Sequence, residues 1–411
     1  MSHSGTGSPG RNDPCPCGSE RRYKSCCGRL ASVRRERQRT VNAQRGPAQA
    51  FELAQLMALL DGGRYAELES MAQQWLEAQS PAARHPPSAI LWPLLGLARA
   101  RQGKDALDAF SRAVQCAPED AASHVNLGNA LARLGRLEQA ASHYGRALEI
   151  DPEFAEAHNN LGELYLELGR AQEALLSCQR ALRIRPDFAP AHQNLATAQV
   201  RLGRFDEALL SCRRAIEINP RSPGAHNTLG SALAGLARFE DALASFGRAL
   251  AIDPKFAQAH ANLAHLLRGL GRLDEAVASY RRALKIEPNL IQAHTELATA
   301  LRLQRRGEEA EECCREALRI DPGSAAALVV LAELRADAGL FIEAEALFRH
   351  ASSRAPDLPE AWSGLARVRR LTSADETWLA ATQALVERGT SPQGELLLRY
   401  ALGKYFDDVG E

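Results

Sequence analysis

The sequence predicts an all-α chain built as an array of helical hairpins, and three observations predict it. Proline stands at 118, 152, 186, 220, 254, 288, 322 and 356, an unbroken and constant spacing. Alanine keeps the same step at 140, 174, 208, 242, 276, 310 and 344, and glycine at 135, 169, 203, 271 and 339 separates two stretches of helical apolar spacing. A fixed period of this length marks a supersecondary unit that cannot bury its apolar face alone and is stable only against its neighbours.

Within each unit the first helix carries Leu127 and its equivalents Leu161, Leu195, Leu229, Leu263, Leu297 and Leu331, each usually followed by Gly or Ala, which predicts close packing there. The second helix carries the recurring alanine. Four residues later comes a large or soft residue (Tyr144, Cys178, Cys212, Phe246, Tyr280, Cys314, Phe348), and three further on a second alanine, Ala147 and its equivalents. These are helical intervals. The glycines sit where a left-handed residue ends the first helix. The prolines, with no N–H and a fixed φ, set the boundary to the next unit.

Stretches such as AHNNLGELYLELGRAQEALLSCQRALRIRPDF at 157–188 resemble the tetratricopeptide repeat (TPR) family nearly throughout. The resemblance implies a TPR α-solenoid, a right-handed superhelix of antiparallel helix pairs. Seven regular repeats are expected over 121–358, at 121–154, 155–188, 189–222, 223–256, 257–290, 291–324 and 325–358. Residues 48–120 read as degenerate N-terminal repeats. In the second of them, Ala106, Phe110, Ala113 and Pro118 are in phase, but the turn from Gly103 to Ala106 is two residues shorter than later ones.

The chain before the array divides into a flexible 1–14, a cysteine-dense 15–28 and a basic linker at 29–47. Cys15, Cys17, Cys26 and Cys27 crowd into one short segment bracketed by Pro14 and Gly28. A segment this short has no apolar core, and four thiolates on one Zn²⁺ would fold it. The spacing C-x-C-x8-C-C, with Pro16, Gly18, Ser19, Tyr23 and Lys24, resembles the SEC-C motif, a small zinc-binding module. That resemblance implies a structural Zn²⁺ on these four cysteines, since a closed thiolate set leaves no position for substrate. Cys178, Cys212 and Cys314, at an aromatic core position, read instead as small buried hydrophobes.

The sequence carries 50 Lys and Arg against 50 Asp and Glu, yet residues 1–45 hold ten of the former and three of the latter. A basic arm on an acidic body suits acidic partners. Arg34, Arg35, Arg37 and Arg39 have no interleaved aromatics, so a solvated linker is favoured there over nucleic-acid binding. Neither a membrane-length apolar run nor a leader-like N-terminus is present, and a cytoplasmic protein without membrane association is expected.

On the first helices Asn126, Asn160, Asn194 and Asn262 share one repeat position, which Thr228 and Glu296 interrupt, and Asn159 and Asn227 stand one residue before it. With Asn129 they form the candidate peptide-binding set. Carboxamides can both donate to and accept from an extended backbone. The pattern resembles the asparagine ladder of O-linked N-acetylglucosamine transferase, whose repeats also read AHxNLG. Peptide contact and plain capping or solvation of the groove are both open at this point. His124, His158, His192, His226, His260 and His294 also recur, but copies a whole repeat apart cannot share one ion, and a packing role is expected. Arg136, Arg170, Arg204, Arg238, Arg272 and Arg306, followed by acids such as Glu138, Glu173 and Asp241, suit local helix-end electrostatics.

No catalytic constellation stands out. Gly5, Gly7 and Gly10 have the letters of a dinucleotide loop without the strand and helix that give it a mechanism. Residues 359–411 read as degenerate C-terminal helices, consistent with truncation, with the helix at LRYALGKYFDDVGE (398–411) lacking a partner and its apolar face uncovered. That tail resembles the junction in bacterial TPR–sulfotransferase proteins. The expected function is therefore a non-enzymatic adaptor that binds protein or peptide partners and takes no small-molecule substrate. The alternative is the recruiting arm of a protein-modifying transferase, of sulfotransferase or glycosyltransferase type, with its catalytic domain missing or encoded downstream.

Overall fold

The computed structural model describes residues 47–78 and 88–410, and among these it is helix and turn throughout. The zinc-ligand candidates Cys15, Cys17, Cys26 and Cys27 and the basic arm lie outside the described residues. The described chain divides into two units, one up to Pro220 and one from Arg221.

The first unit holds ten described helices in five hairpins: α1 (Pro47–Asp61) with α2 (Tyr65–Glu77), α3 (Ser88–Arg101) with α4 (Leu107–Cys116), α5 (Ala121–Arg133) with α6 (Leu137–Ile150), α7 (Ala155–Glu167) with α8 (Ala171–Ile184), and α9 (Ala189–Arg201) with α10 (Phe205–Ile218). The second holds α11 (Pro223–Gly235) with α12 (Phe239–Ile252), α13 (Ala257–Gly269) with α14 (Leu273–Ile286), α15 (Ile291–Leu303) with α16 (Gly307–Ile320), and α17 (Ala325–Asp337) with α18 (Phe341–Arg354). It ends in α19 (Pro359–Val368), α20 (Glu376–Arg388) and α21 (Pro392–Val409). Inside each unit a first helix packs on its own second helix, and from α3 to α9 in the first unit and from α11 to α19 in the second it also packs on the next first helix, which makes a row of first helices within each unit.

Local chemistry explains the hairpins. Gly135, Gly169, Gly203, Gly271 and Gly339 turn the chain with φ of 70, 74, 71, 75 and 77°. Ala237 and Arg305 make the same left-handed turn at φ 57 and 60°, which a Cβ disfavours by about 1 kcal/mol. The packing predicted after the recurring leucines is close: a Cβ on Gly128 would stand 2.6 Å from the Tyr144 ring, and one on Gly230 2.7 Å from Phe246. Cys178, Cys212 and Cys314 are fully buried, and burial pushes each thiol up to about 12, so they stay protonated.

The recurring histidines tie repeats to their boundaries. The Nε2–H of His124, His158, His192, His260 and His294 donates to the carbonyl of the proline six residues earlier, at 2.9–3.1 Å. Trp362 Nε1 makes the same bond to Pro356 at 2.9 Å, so the repeat register continues into α19. A polar tip on a packing side chain thus satisfies a carbonyl in a turn that proline leaves without its own donor.

The structure corrects the expectation for the last helix. Leu398, Ala401 and Tyr405 of α21 are buried; Ala401 and Tyr405 belong to a cluster that includes Val368, Leu371 and Trp378, and the Tyr405 and Trp378 rings stack at 5.7 Å. Lys404 Nζ reaches Asp408 at 2.5 Å, and Asp408 accepts the Leu371 N–H at 3.0 Å. Gly410 then caps the helix at φ 83°. The apolar face has its partner within the chain, because α19, the loop that follows it and α20 pack against α21 and supply it. Leu396 and Tyr400, on another face, remain exposed.

Candidate functional site

The candidate asparagines lie on the first helices, and the structure joins most of them directly. Asn160 Nδ2 donates to Asn129 Oδ1 at 2.8 Å, across one repeat. Asn194 Nδ2 donates to Asn159 Oδ1 at 3.1 Å, again one repeat back, and Asn159 Nδ2 donates to Asn160 Oδ1 at 3.2 Å. In the second unit Asn262 Nδ2 donates to Asn227 Oδ1 at 3.0 Å and its own Oδ1 accepts from Gln258 at 2.9 Å. The amides are thus bonded to one another within each unit, as Asn129–Asn160–Asn159–Asn194 in the first and Asn227–Asn262 in the second. The offset between the two asparagine positions lets Asn194 and Asn262 reach the preceding repeat, whereas Asn160 reaches it through Asn129, three residues beyond the shared position.

Asn129 Oδ1 accepts from both Tyr144 Oη, at 2.7 Å, and Asn160, which uses both lone pairs. Each Nδ2 has two hydrogens, and each bond within the chain uses one. What is left over is both N–H groups and oxygen lone pairs, suited to the carbonyl oxygens and the N–H groups of an extended backbone. Asn126 lines a cavity of about 670 Å³ together with Asn129, Arg101 and Arg133.

Of the two interruptions of the asparagine pattern, both in the second unit, Thr228 donates to the Gly224 carbonyl of its own helix, and at Glu296 charge takes over. Glu296 occupies the position of Asn160 and Asn262 and likewise contacts the preceding repeat, with Arg268 at 2.9 Å and His265 Nδ1 at 3.6 Å. Burial pushes its carboxyl up, but the His265 hydrogen bond and the Arg268 charge outweigh this and hold it below the usual range. Arg302 repeats the theme one unit on, at 2.8 Å from Glu333 and 2.9 Å from Asp337, and Arg367 reaches Glu333 at 3.2 Å. These ions were not singled out in the sequence, although Arg268 and Arg302 stand one full repeat apart and the period alone would have paired them.

The turn arginines behave as expected of local pairs. Arg170, Arg238, Arg272 and Arg306 each bind the acid three residues on, at 2.6–2.9 Å in exposed positions. Pairs of this kind contribute well under about 1 kcal/mol and occupy the guanidinium. Among the described residues there is no group of three or more metal-ligating side chains, and no helix long and apolar enough to cross a membrane.

Comparison with known proteins agrees with this architecture. Family models described as tetratricopeptide or TPR repeat match residues 128–169, 155–188, 189–222, 223–256, 257–290 and 301–368. The chain belongs to the tetratricopeptide repeat family. A SEC-C motif model matches residues 11–29. Over 24 residues the chain is 75% identical to the protein translocase subunit SecA of Pelotomaculum thermopropionicum, which is 6% of this chain and 3% of that protein. The chain therefore shares only a short segment with that relative. Among solved structures it resembles the APC/C hetero-tetramer Cut9–Hcn1 (TM-score 0.54, 19% identity, 73% of this chain and 59% of that one). A tetratricopeptide repeat protein from Parabacteroides merdae is also similar (TM-score 0.50, 19% identity, 62% and 100%). At these identities the likeness concerns the fold.

Proposed function

We propose that this TPR protein is a non-enzymatic adaptor that binds extended peptide segments of protein partners along the row of first helices. The observation that carries the reading is the Asn129–Asn160–Asn159–Asn194 chain, whose internal bonds leave N–H groups for a peptide's carbonyl oxygens. Main-chain recognition of this kind is tolerant of sequence, and neighbouring pockets would supply selectivity. Family membership supports an interaction role without naming the partner.

The same proposal gives the N-terminal head a structural Zn²⁺ on Cys15, Cys17, Cys26 and Cys27, supported by the SEC-C match over 11–29. Four thiolates are a donor set suited to zinc and leave no open position, so the metal would order the head. The five described cysteines are free thiols, which suits a reducing compartment, and we place the protein in the cytoplasm.

The test is a pull-down with the purified chain, its partners identified by mass spectrometry. Replacing Asn129, Asn160 and Asn194 by Ala together should leave helicity unchanged and deplete the partners at least severalfold. Retention of the same partners by that variant would sink the groove reading. Equimolar zinc in the parent chain, lost in Cys26→Ser/Cys27→Ser without loss of array helicity, would support the head; no bound zinc would refute it.

A further inference from the structure

We propose that the 670 Å³ cavity on the first unit is a docking pocket for an acidic side chain carried in mid-chain by an extended peptide. The proposal rests on the groove reading above and adds the chemical class of the bound segment. The cavity exists because a turn of helix is missing. α4 has ten residues, whereas α6 and α8 have fourteen. It begins at Leu107, immediately after Ala106, whereas the equivalent alanine of α6, Ala140, is the fourth residue of its helix. The shortened turn at Gly103–Ala106 lines the space that the absent turn leaves open.

The charges around this space are unequal. Arg101 and Arg133 line it, and neither forms an ion pair among the described residues. Lys104 is held by Glu69 at 2.6 Å, and the Asp105 carboxylate accepts the Leu107 N–H at 2.9 Å. Elsewhere on the first helices the guanidinium groups are matched: Arg268 and Arg302 have carboxylates, and Arg201 donates to the Leu166 carbonyl. Two unmatched guanidinium groups in a concave wall favour a carboxylate, which they bind with directional N–H donors. The volume is within the roughly 300–1,000 Å³ of ligand pockets, large enough for a side chain with its flanking backbone.

Continuity with the amide chain favours a mid-chain residue. Asn129 lines the cavity and also starts the bonded row, so a peptide lying on the row enters the cavity there. α3 supplies Leu97, Ala100 and Arg101 to the cavity wall, so the row of first helices continues past Asn129 there.

The test uses the full chain and three labelled decapeptides, acetylated and amidated, in which Glu, Gln or Lys alternates with Thr. Fluorescence anisotropy should show the Glu probe binding at least about tenfold more tightly than the Gln or Lys probe. Arg101→Gln/Arg133→Gln should abolish that preference, while Arg34→Gln/Arg35→Gln/Arg37→Gln in the basic arm should retain it. Circular dichroism checks that both variants stay folded. No binding of the Glu probe, equal binding of Glu and Gln probes, a preference kept in the Arg101/Arg133 variant, or a preference seen only with a free C-terminal carboxylate would each overturn the proposal. If Glu and Gln probes bind equally but both weaken in Asn160→Ala/Asn194→Ala, the groove reading survives and the acidic pocket does not. If those asparagine variants bind normally while the arginine variant loses the Glu preference, the pocket stands and the amide row is not the peptide site.

Discussion

The two units use the same repeat geometry but connect neighbouring first helices with different chemistry. In the first, carboxamides bridge successive repeats at Asn129–Asn160 and Asn159–Asn194. In the second the corresponding bridges pass from one amide pair, Asn227–Asn262, to ion pairs at Arg268–Glu296 and Arg302–Glu333. The difference teaches that the position of Asn160, Asn262 and Glu296 is defined by its reach to the preceding repeat, and that many polar pairs satisfy it. It also separates the two surfaces functionally. An amide row keeps spare donors for a ligand, whereas matched ion pairs already have their partners and offer little net charge.

The comparison can be broken most strongly at Glu296. The Arg268 and Glu296 side chains are only 23% and 24% exposed, so Glu296→Ala strands a largely buried guanidinium and should cost about 1–3 kcal/mol in urea unfolding. Salt should reduce that loss, because the pair is electrostatic. The carboxyl titrates below its ordinary value in the folded chain, so its contribution is fully present above the unfolded value of about 4.3. It is lost as pH falls through the folded value, and Glu296→Gln should flatten that part of the acid-unfolding profile. A stability change that ignores both salt and acid would show that the pair is not what joins these repeats.

Asn160→Ala sharpens the other side. It removes two amide bonds from the first unit and should cost about 1–2 kcal/mol with little response to salt. A salt dependence equal to that of Glu296→Ala would erase the distinction. Hydrogen exchange should localise the loss to α5–α9, since repeats couple mainly to their neighbours.

The smallest effect concerns the turns. Every regular turn of the first unit has a left-handed glycine, while the second carries Ala237 and Arg305 there. Ala237→Gly and Arg305→Gly should each stabilise the second unit by about 0.5–1 kcal/mol in thermal unfolding, the relief of the Cβ contact less the added freedom of the unfolded chain. No gain, or a loss, would mean that these turns are not strained.

Much of this was legible in the residues. Spacing located the left-handed glycines, the buried position shared by Tyr144 and Cys178, and the packing histidines, because each depends on a helix and its immediate neighbours. The pairing of α21 was not legible, since α20 breaks the period and only folding brings Leu371 and Trp378 to Tyr405. The bonds among the asparagines were also hidden: the sequence shows recurrence, while the distance between Asn160 and Asn129 depends on how closely α5 and α7 pack. Arg101 and Arg133 each stand two residues before a turn glycine, but that spacing does not show that both line one cavity beside the short helix α4.

The amino-acid order by itself determined the repeat, its helices, its turns and the cysteine-dense head, because short-range spacing and turn chemistry act within a single repeat. The tertiary structure alone decided which amides bond, which charges are matched and where a cavity opens. Those outcomes depend on small separations between side chains from different repeats, which packing sets.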